Sequence, residues 1–451
     1  MKTFENVACT VCGCVCDDLR IGVDNQRVRR AEGACCLAEP WFLGQDTRQP
    51  PAATIDGKPV AVQEAIACAA DILRNANSPL IYGMSRSSTN GQRAAIALGE
   101  RIGATIDTTA SLCHAPSVMA IQEVGESTCT LGEVLNRADL VVFWGSNPVE
   151  SHPRHFERYS LSRPGRFVPE GRSDRTLVVV DVMQTASVAR ADVFIPVEAG
   201  MDFEALTALR CLVQDRSISD PEKIGAPFHL LEDLARKMKS CRYGVVFFGR
   251  GLSMTGGGHH NVEALLLLVN ELNAYTRFCA RRMRIPGDVT GADMVLTWLT
   301  GYPFSVNLGR GYPRYNPGEF SAQAMLERGD VDACLFVGSE GAARFSEAAL
   351  AELRRIPTIV LDHPTVESLI APAIRFTTAV YGVHRPGTVY RMDGVPIPLR
   401  AFLESSYPSD DEVLSGIDEE LANAKKAVPG SACKSLSTND PEMLSAASLL
   451  S

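Results

Sequence analysis

From residue 79 onward the chain alternates short, wholly apolar runs with longer amphipathic stretches. The runs PLIYGM (79–84), DLVVFWG (139–145), TLVVVDV (176–182), DVFIPV (192–197), YGVVFFG (243–249), DACLFVG (332–338) and TIVLD (358–362) have strand length. Lacking polar alternation, they read as strands covered on both faces. Between them, NGQRAAIALGERIGA (90–104), Phe203 to about Val213 and NVEALLLLVNELNAYT (261–276) space their apolar residues as helices do. Another helix is expected over VAVQEAIACAADILRNA (60–76), ending at Asn77-Ser78-Pro79. Strands alternating with helices imply βαβ units, a mainly parallel sheet and an α/β fold. Most of these strands close on Gly or Asp, at the edge where open α/β sheets place ligands.

The first 50 residues break this pattern. They hold no long apolar run, and LRIGVDNQRVRRAEG (19–33) predicts a small hairpin turning at Asp24-Asn25. Breaks in pattern near 55, within RPGRFVPEGRSDR (163–175) and near 404 divide the chain into residues 1–55, 56–404 and a 405–451 extension. The extension is rich in Ser, Asp and Ala. It is expected to be partly helical, with its last ~20 residues disordered. No repeat of fixed period is present.

With 451 residues, 45% of them hydrophobic and 22% charged, the chain has ample material for a globular core. The net charge of -9 argues against a nucleic-acid binder, which needs a basic stripe. No run reaches the ~18 apolar residues of a membrane span. The N-terminus lacks the basic and apolar regions of a signal peptide, so a cytoplasmic location is expected.

Cysteine changes the picture most. Six of fourteen (Cys9, Cys12, Cys14, Cys16, Cys35, Cys36) lie in the first 36 residues. A disulfide framework is out of place in a large chain without an export signal, so the cluster reads as a metal site. The spacing Cys-x2-Cys-x3-Cys with a remote fourth, from Cys9, Cys12, Cys16 and Cys35, suits the corners of a [4Fe–4S] cubane. Zinc is the rival, although its usual second Cys-x2-Cys or His pair is absent. Cys36 competes with Cys35 as fourth ligand, and Cys14 is an extra thiol.

A second candidate is the turn Gly145-Ser146-Asn147-Pro148 and the following His152-Pro153, after the strand DLVVF. Glycine and an Asn-Pro turn with exposed amides suit a nucleotide or pyrophosphate, though an ordinary turn has the same composition. Asp181 and Asp362 end strands, where each can bind a ribose or guanine edge or cap a helix; Gly338 follows the strand DACLFV.

Together these motifs resemble the molybdopterin oxidoreductase superfamily, and within it the B subunit of formylmethanofuran dehydrogenase, including the B-type subunit of bacterial formyltransferase/hydrolase complexes. The resemblance runs to about residue 404. It rests on ASLCHAPS (110–117), WGSNPVESHPRHFERYS (144–160), RRMRIPGDVTG (281–291), TGYPFSVNLGRGYPRYNPGE (300–319) and YRMDGVP (390–396). It implies a small iron–sulfur domain followed by doubly wound α/β domains, without the C-terminal β-barrel that other superfamily members carry. It implies molybdenum or tungsten on two molybdopterin guanine dinucleotides, with Cys113 as the protein ligand beside His114 and Arg284. A soft thiolate suits such a metal, a guanidinium can hold formate, and an imidazole can move a proton. Gly145, Asn147, Pro148, His152, Asp181, Gly338 and Asp362 are the residues expected to hold the cofactor. The resemblance further implies partners: an amidohydrolase-like A subunit, a C subunit and a barrel-bearing D subunit. The expected reaction interconverts CO2 and formate. The alternative is a non-redox structural subunit of a formate-releasing hydrolase complex.

Overall fold

The computed structural model describes residues 1–424. The expectation of a disordered C-terminus falls outside the described residues. A parallel sheet, a larger mixed sheet with a parallel centre and a three-stranded antiparallel sheet form the frame, and Gly387–Tyr390 pairs with Pro396–Leu399 as a separate two-stranded antiparallel sheet.

The three-stranded sheet joins Lys2–Val7, Leu19–Asp24 and Arg27–Glu32. The hairpin lies where the sequence placed it, but its turn is Asn25-Gln26, one residue further on. Both residues have positive φ (49° and 58°), as a tight two-residue hairpin turn requires. The cysteine-bearing loop, residues 8–18, connects the first two strands.

The smaller parallel sheet runs Val193–Pro196, Thr176–Asp181, Leu140–Trp144, Tyr243–Phe248, Arg277–Arg282 in spatial order. Its period-2 alternation separates two cores. Leu140, Val142, Trp144, Val246, Phe248 and Phe278 pack on helices Asp202–Val213, Phe228–Ser240 and Gly258–Leu272. Val141, Phe143, Val245, Phe247 and Cys279 face the other way, against Cys9, Cys12, Cys14, Cys16, Leu19 and Ile21. The N-terminal segment is thus one of the sheet's two covers.

The larger sheet has a parallel centre, Thr105–Thr108, Pro79–Gly83, Ala333–Val337, Thr358–Asp362 and Ile374–Thr377, with short antiparallel strands on both edges. One edge pair is Ala53–Ile55 with Lys58–Pro59. Helices cover both faces. Val62–Asn75, Thr89–Ile102, Val289–Thr300 and Asp410–Ala424 share one core with Ile81, Leu335 and Ile359. The last of these lies in the expected extension, yet its Val413, Leu414 and Ile417 are fully buried there.

In each sheet the chain reverses its direction of travel at one place. In the larger sheet this is between Pro79–Gly83 and Ala333–Val337; in the smaller it is between Leu140–Trp144 and Tyr243–Phe248. At such points the loops leaving neighbouring strands diverge and open a crevice. Strand Arg277–Arg282 was not foreseen, because its sequence RFCARR reads as a basic surface group. Its centre, Phe278 to Ala280, is buried, and the arginines at its carboxyl end turn inward.

Candidate functional site

The cysteine loop folds back on itself: the Cys9 amide donates to the Cys16 carbonyl (2.8 Å) and the Val15 amide to the Cys12 carbonyl (3.1 Å). Cys9, Cys12, Cys14, Cys16 and Cys35 line one narrow cleft, with Leu19, Ala38 and Arg154 among its walls. Cys36 is exposed and lies outside that lining. All five lining thiols are free. Burial pushes the Cys9 thiol well up, reinforced by the neighbouring Cys12, Cys16 and Cys35. Burial also pushes Cys16 up to about 11, against the pull of Arg158. Arg154 and Arg158 are fixed by Asp18 (2.7 Å) and Asp17 (2.8 Å) and supply positive charge beside the thiols. Among the described residues no three His, Cys, Asp or Glu side chains are drawn in as a ready ligand set. The donor chemistry, five thiols on one cleft with cations behind them, includes the four that an iron–sulfur cluster needs.

A strap formed by residues 283–287 crosses this loop. The Gly13 amide donates to the Arg284 carbonyl (3.1 Å), and the Met392 amide donates to the Gly13 carbonyl (2.8 Å). A Cβ at Gly13 would sit 2.4 Å from the Arg284 oxygen, so only glycine permits this crossing. The same carbonyl accepts from His152 Nε2 (3.0 Å), while His152 Nδ1 meets Ser151 Oγ (2.8 Å). Burial lowers His152 to about 4, leaving it a neutral strut.

Above the strap, Arg284 is 2% exposed and ion-paired with Asp293, which also accepts from Thr108 Oγ1 (2.7 Å). Burial opposes the guanidinium charge, but Asp293 and Cys113 outweigh it, so its pKa is raised. Its Nε has no partner. Cys113 is 2% exposed and packs with Ala110 and Val289. Its Sγ donates to the Thr109 carbonyl (3.4 Å), and its own carbonyl accepts from Ser253 Oγ (3.0 Å). Burial raises the thiol; Arg284 pulls it down. His114 Nε2 contacts the Met283 carbonyl (3.0 Å) and Nδ1 contacts Ser117 Oγ (3.0 Å). A carbonyl only accepts, so Nε2 carries the hydrogen. Burial, with Arg284, Arg282 and Arg250 nearby, drives the His114 pKa well down.

The crevices at the two sheet reversals meet in a cleft of about 390 Å³. The larger sheet contributes Tyr82, Arg86, Gly338 and Arg344; the smaller contributes Glu150 and Ser151; the cysteine loop contributes Val11 and Cys12; the strap contributes Ile285. Cys113 and Arg284 lie one layer back, bonded to Thr109 or joined to Ile285, both of which line the cleft. This volume lies within the range of small-molecule sites.

The remaining expected residues divide. Gly338 lines the cleft. Asp362 lies just behind it, accepting from Ser339 N (2.8 Å) and Oγ (2.7 Å). Asn147 accepts from Ser187 Oγ (2.7 Å), and Pro148 starts a short helix. What comes close to Gly145 is not open space but the 249–252 turn: a Cβ there would meet Leu252 N at 2.7 Å. Asp181 is half-buried and accepts from Val182 N.

No family model matches this chain. It is 40% identical over 412 residues to the B subunit of the tungsten-containing formylmethanofuran dehydrogenase 2 of Methanocaldococcus jannaschii, covering 90% of this chain and 94% of that one. The chain belongs to the family of formylmethanofuran dehydrogenase B subunits. Its fold matches the formyltransferase/hydrolase complex of Methylorubrum extorquens (TM-score 0.70, 22% identity, 83% of this chain and 100% of that one). It also matches acetylene hydratase of Pelobacter acetylenicus (TM-score 0.69, 10% identity, 94% of this chain and 70% of that one). No helix among the described residues is long and apolar enough to cross a membrane.

In this formylmethanofuran dehydrogenase family member, sequence reading missed the second tier of the site: Gly13, Tyr82, Arg86, Ser253 and Asp293. Each acts through a partner more than a hundred residues away, and Asp293 also through Arg284, which precedes it on the strap. A lone Asp in VTGADMV carries no local signal. Gly13 had one, since a glycine inside a cysteine loop often marks close backbone approach.

Proposed function

We propose that this chain holds a [4Fe–4S] cluster on Cys9, Cys12, Cys16 and Cys35 and a tungsten or molybdenum bis-pterin centre through Cys113, and that it interconverts CO2 and formate within a multisubunit complex. The observation that carries this reading is the single strap, residues 283–287, bonded to the cysteine loop on one side and bearing Arg284 beside Cys113 on the other. When bound, the metal–pterin group supplies two-electron redox chemistry and the cluster a one-electron path. The chain's own residues do the rest. Arg284, held by Asp293 at one nitrogen, keeps Nε free to take a carboxylate oxygen and so orients formate. Arg250 adds positive potential that draws in an anion, while the charge of Arg282 is offset by Glu126 at 3.7 Å. His114 is neutral and tethered at both nitrogens, so it moves a proton only by exchanging one of these bonds. Burial around Cys113 excludes water and strengthens each of these interactions.

A, C and D subunits are the proposed partners, by analogy with the four-component complex whose structure shares this fold. The second reading, a structural subunit of a hydrolase complex, draws on that same similarity and on the cover over the Cys113 thiol. Metal and pterin analysis of the purified complex separates the two. About four irons and one W or Mo with pterin per chain is expected, and Cys113→Ser should remove the metal and formate oxidation while the complex still assembles. Iron without pterin, or unchanged activity in the variant, overturns the redox reading.

A further inference from the structure

Tyr82 is the penultimate residue of the strand Pro79–Gly83, at the reversal point of the larger sheet, and lines the large cleft. Its ring is fixed by Phe345 (centroids 4.9 Å apart) and by Phe336, edge-on at 5.9 Å. Gly341 lies against it: a Cβ there would come within 2.9 Å of Cε1, 3.1 Å of Thr109 Cγ2 and 3.5 Å of the Tyr82 hydroxyl. Tyr82 and Thr109 therefore meet over a glycine, at the cleft wall whose next layer is Cys113.

The residue is fully buried, and its hydroxyl has no hydrogen-bond partner. The neighbouring hydroxyls are already engaged: Thr109 Oγ1 with Ser85 Oγ. A phenylalanine would satisfy the ring packing without burying an unpaired hydroxyl, which costs free energy with no return. Burial, then Asp107 and Cys113, hold the phenol well above its ordinary range, against Arg344, so the group is an O–H donor throughout the physiological range.

We propose that the Tyr82 hydroxyl is a positioning donor that hydrogen-bonds an electron-rich atom of the group bound in the cleft beside Cys113. The acceptor class is a thiolate sulfur of the metal centre or a carboxylate oxygen of formate. This inference rests on the redox reading above.

The test is Tyr82→Phe in the purified complex, with metal and pterin content measured alongside wild type. If the acceptor is a metal-bound sulfur, the metal(V) electron paramagnetic resonance signal shifts without formate, and a deuterium-exchangeable proton coupling disappears. If it is a formate oxygen, that signal stays and formate affinity falls on the order of ten- to hundred-fold. Incorporating 3-fluorotyrosine at 82, a stronger donor of the same shape, should move the same readout the opposite way. Should Tyr82→Phe fail to assemble, the fluorotyrosine protein alone decides. Full metal and pterin loading with spectrum and formate affinity both unchanged overturns the proposal. A wild-type complex without pterin overturns the redox reading and this inference together.

Discussion

Replacing Asp293 by Asn tests whether Arg284 is held in place by charge. The two side chains are 2% and 8% exposed, so neither is screened by water. Asn keeps the shape and can still accept from Thr108 Oγ1, now 2.7 Å away. What is lost is the counter-charge of a buried guanidinium. Removing one partner of such a pair costs about 3–5 kcal/mol, because the remaining charge stays desolvated. Replacing both partners, with Arg284→Met and Asp293→Leu, should return stability to within about 1–2 kcal/mol of wild type, since no orphan charge remains. Urea denaturation of the complex, read by proteolysis of this subunit, gives both numbers, and the double-mutant cycle isolates the pair. Ionising Cys113 gives Arg284 a second counter-charge, so the single substitution should cost less in the metal-loaded protein. A single-variant loss below about 1 kcal/mol, or a double variant as unstable as the single, refutes the argument that Asp293 compensates Arg284.

Gly13→Ala drives a Cβ to within 2.4 Å of the Arg284 carbonyl and 3.1 Å of Met392 Cβ, so the strap must lift. Overpacking of this kind costs about 1–3 kcal/mol, and iron per chain should fall with the melting temperature; unchanged iron content contradicts the crossing. Asp410 is raised by burial from 3.8 to about 6, while Ser87 holds it down. The folded chain therefore binds a proton that the unfolded chain has released between about pH 4 and 6, and stability falls as pH rises through that window, by about 3 kcal/mol. Asp410→Asn should reduce this dependence in denaturation curves at about pH 4.5 and 7, with Asp107, also raised by burial to about 6, keeping part of it, and an unaltered slope rules out Asp410 as a source.

The elements legible in the sequence are those fixed by local pattern. The continuous apolar runs became strands, because a strand at the centre of a parallel sheet has no solvated face to mark with polar residues. Val193–Pro196 is the exception in burial: it lies on an edge of the smaller sheet and is only partly covered. The hairpin over residues 19–33 was legible for the opposite reason, a two-sided alternation around a turn. Arg277–Arg282 escaped because its arginines look outward in sequence, yet Arg281 turns inward to bond Thr128 and the Met392 carbonyl. Nothing in the neighbouring sequence encodes a partner that distant. The helix Asp410–Ala424 was expected within a partly helical extension, but its place in the core was not. Its mean composition is that of an acidic surface segment, while Val413, Leu414 and Ile417 at helical spacing complete the larger sheet's core.

The candidate site shows the same division, and the division has a physical cause. Residue types whose chemistry is rare, such as clustered cysteines or the Cys113-His114 pair, stand out wherever they occur. The groups that hold them in register are mostly ordinary, a glycine amide or a serine hydroxyl; His152 stood out in the sequence as a cofactor residue, yet it struts a carbonyl. Their meaning is geometric, because the Arg284 carbonyl gathers Gly13 from the cysteine loop and His152 from the smaller sheet onto one atom. A shift of that oxygen moves the loop and the guanidinium together. Neither the cysteine loop nor the Arg284 strap can be repositioned alone. Substitutions at Gly13 and His152 should therefore lower iron content and formate affinity at once, whereas a substitution at Cys36, exposed and off the cleft, should change neither.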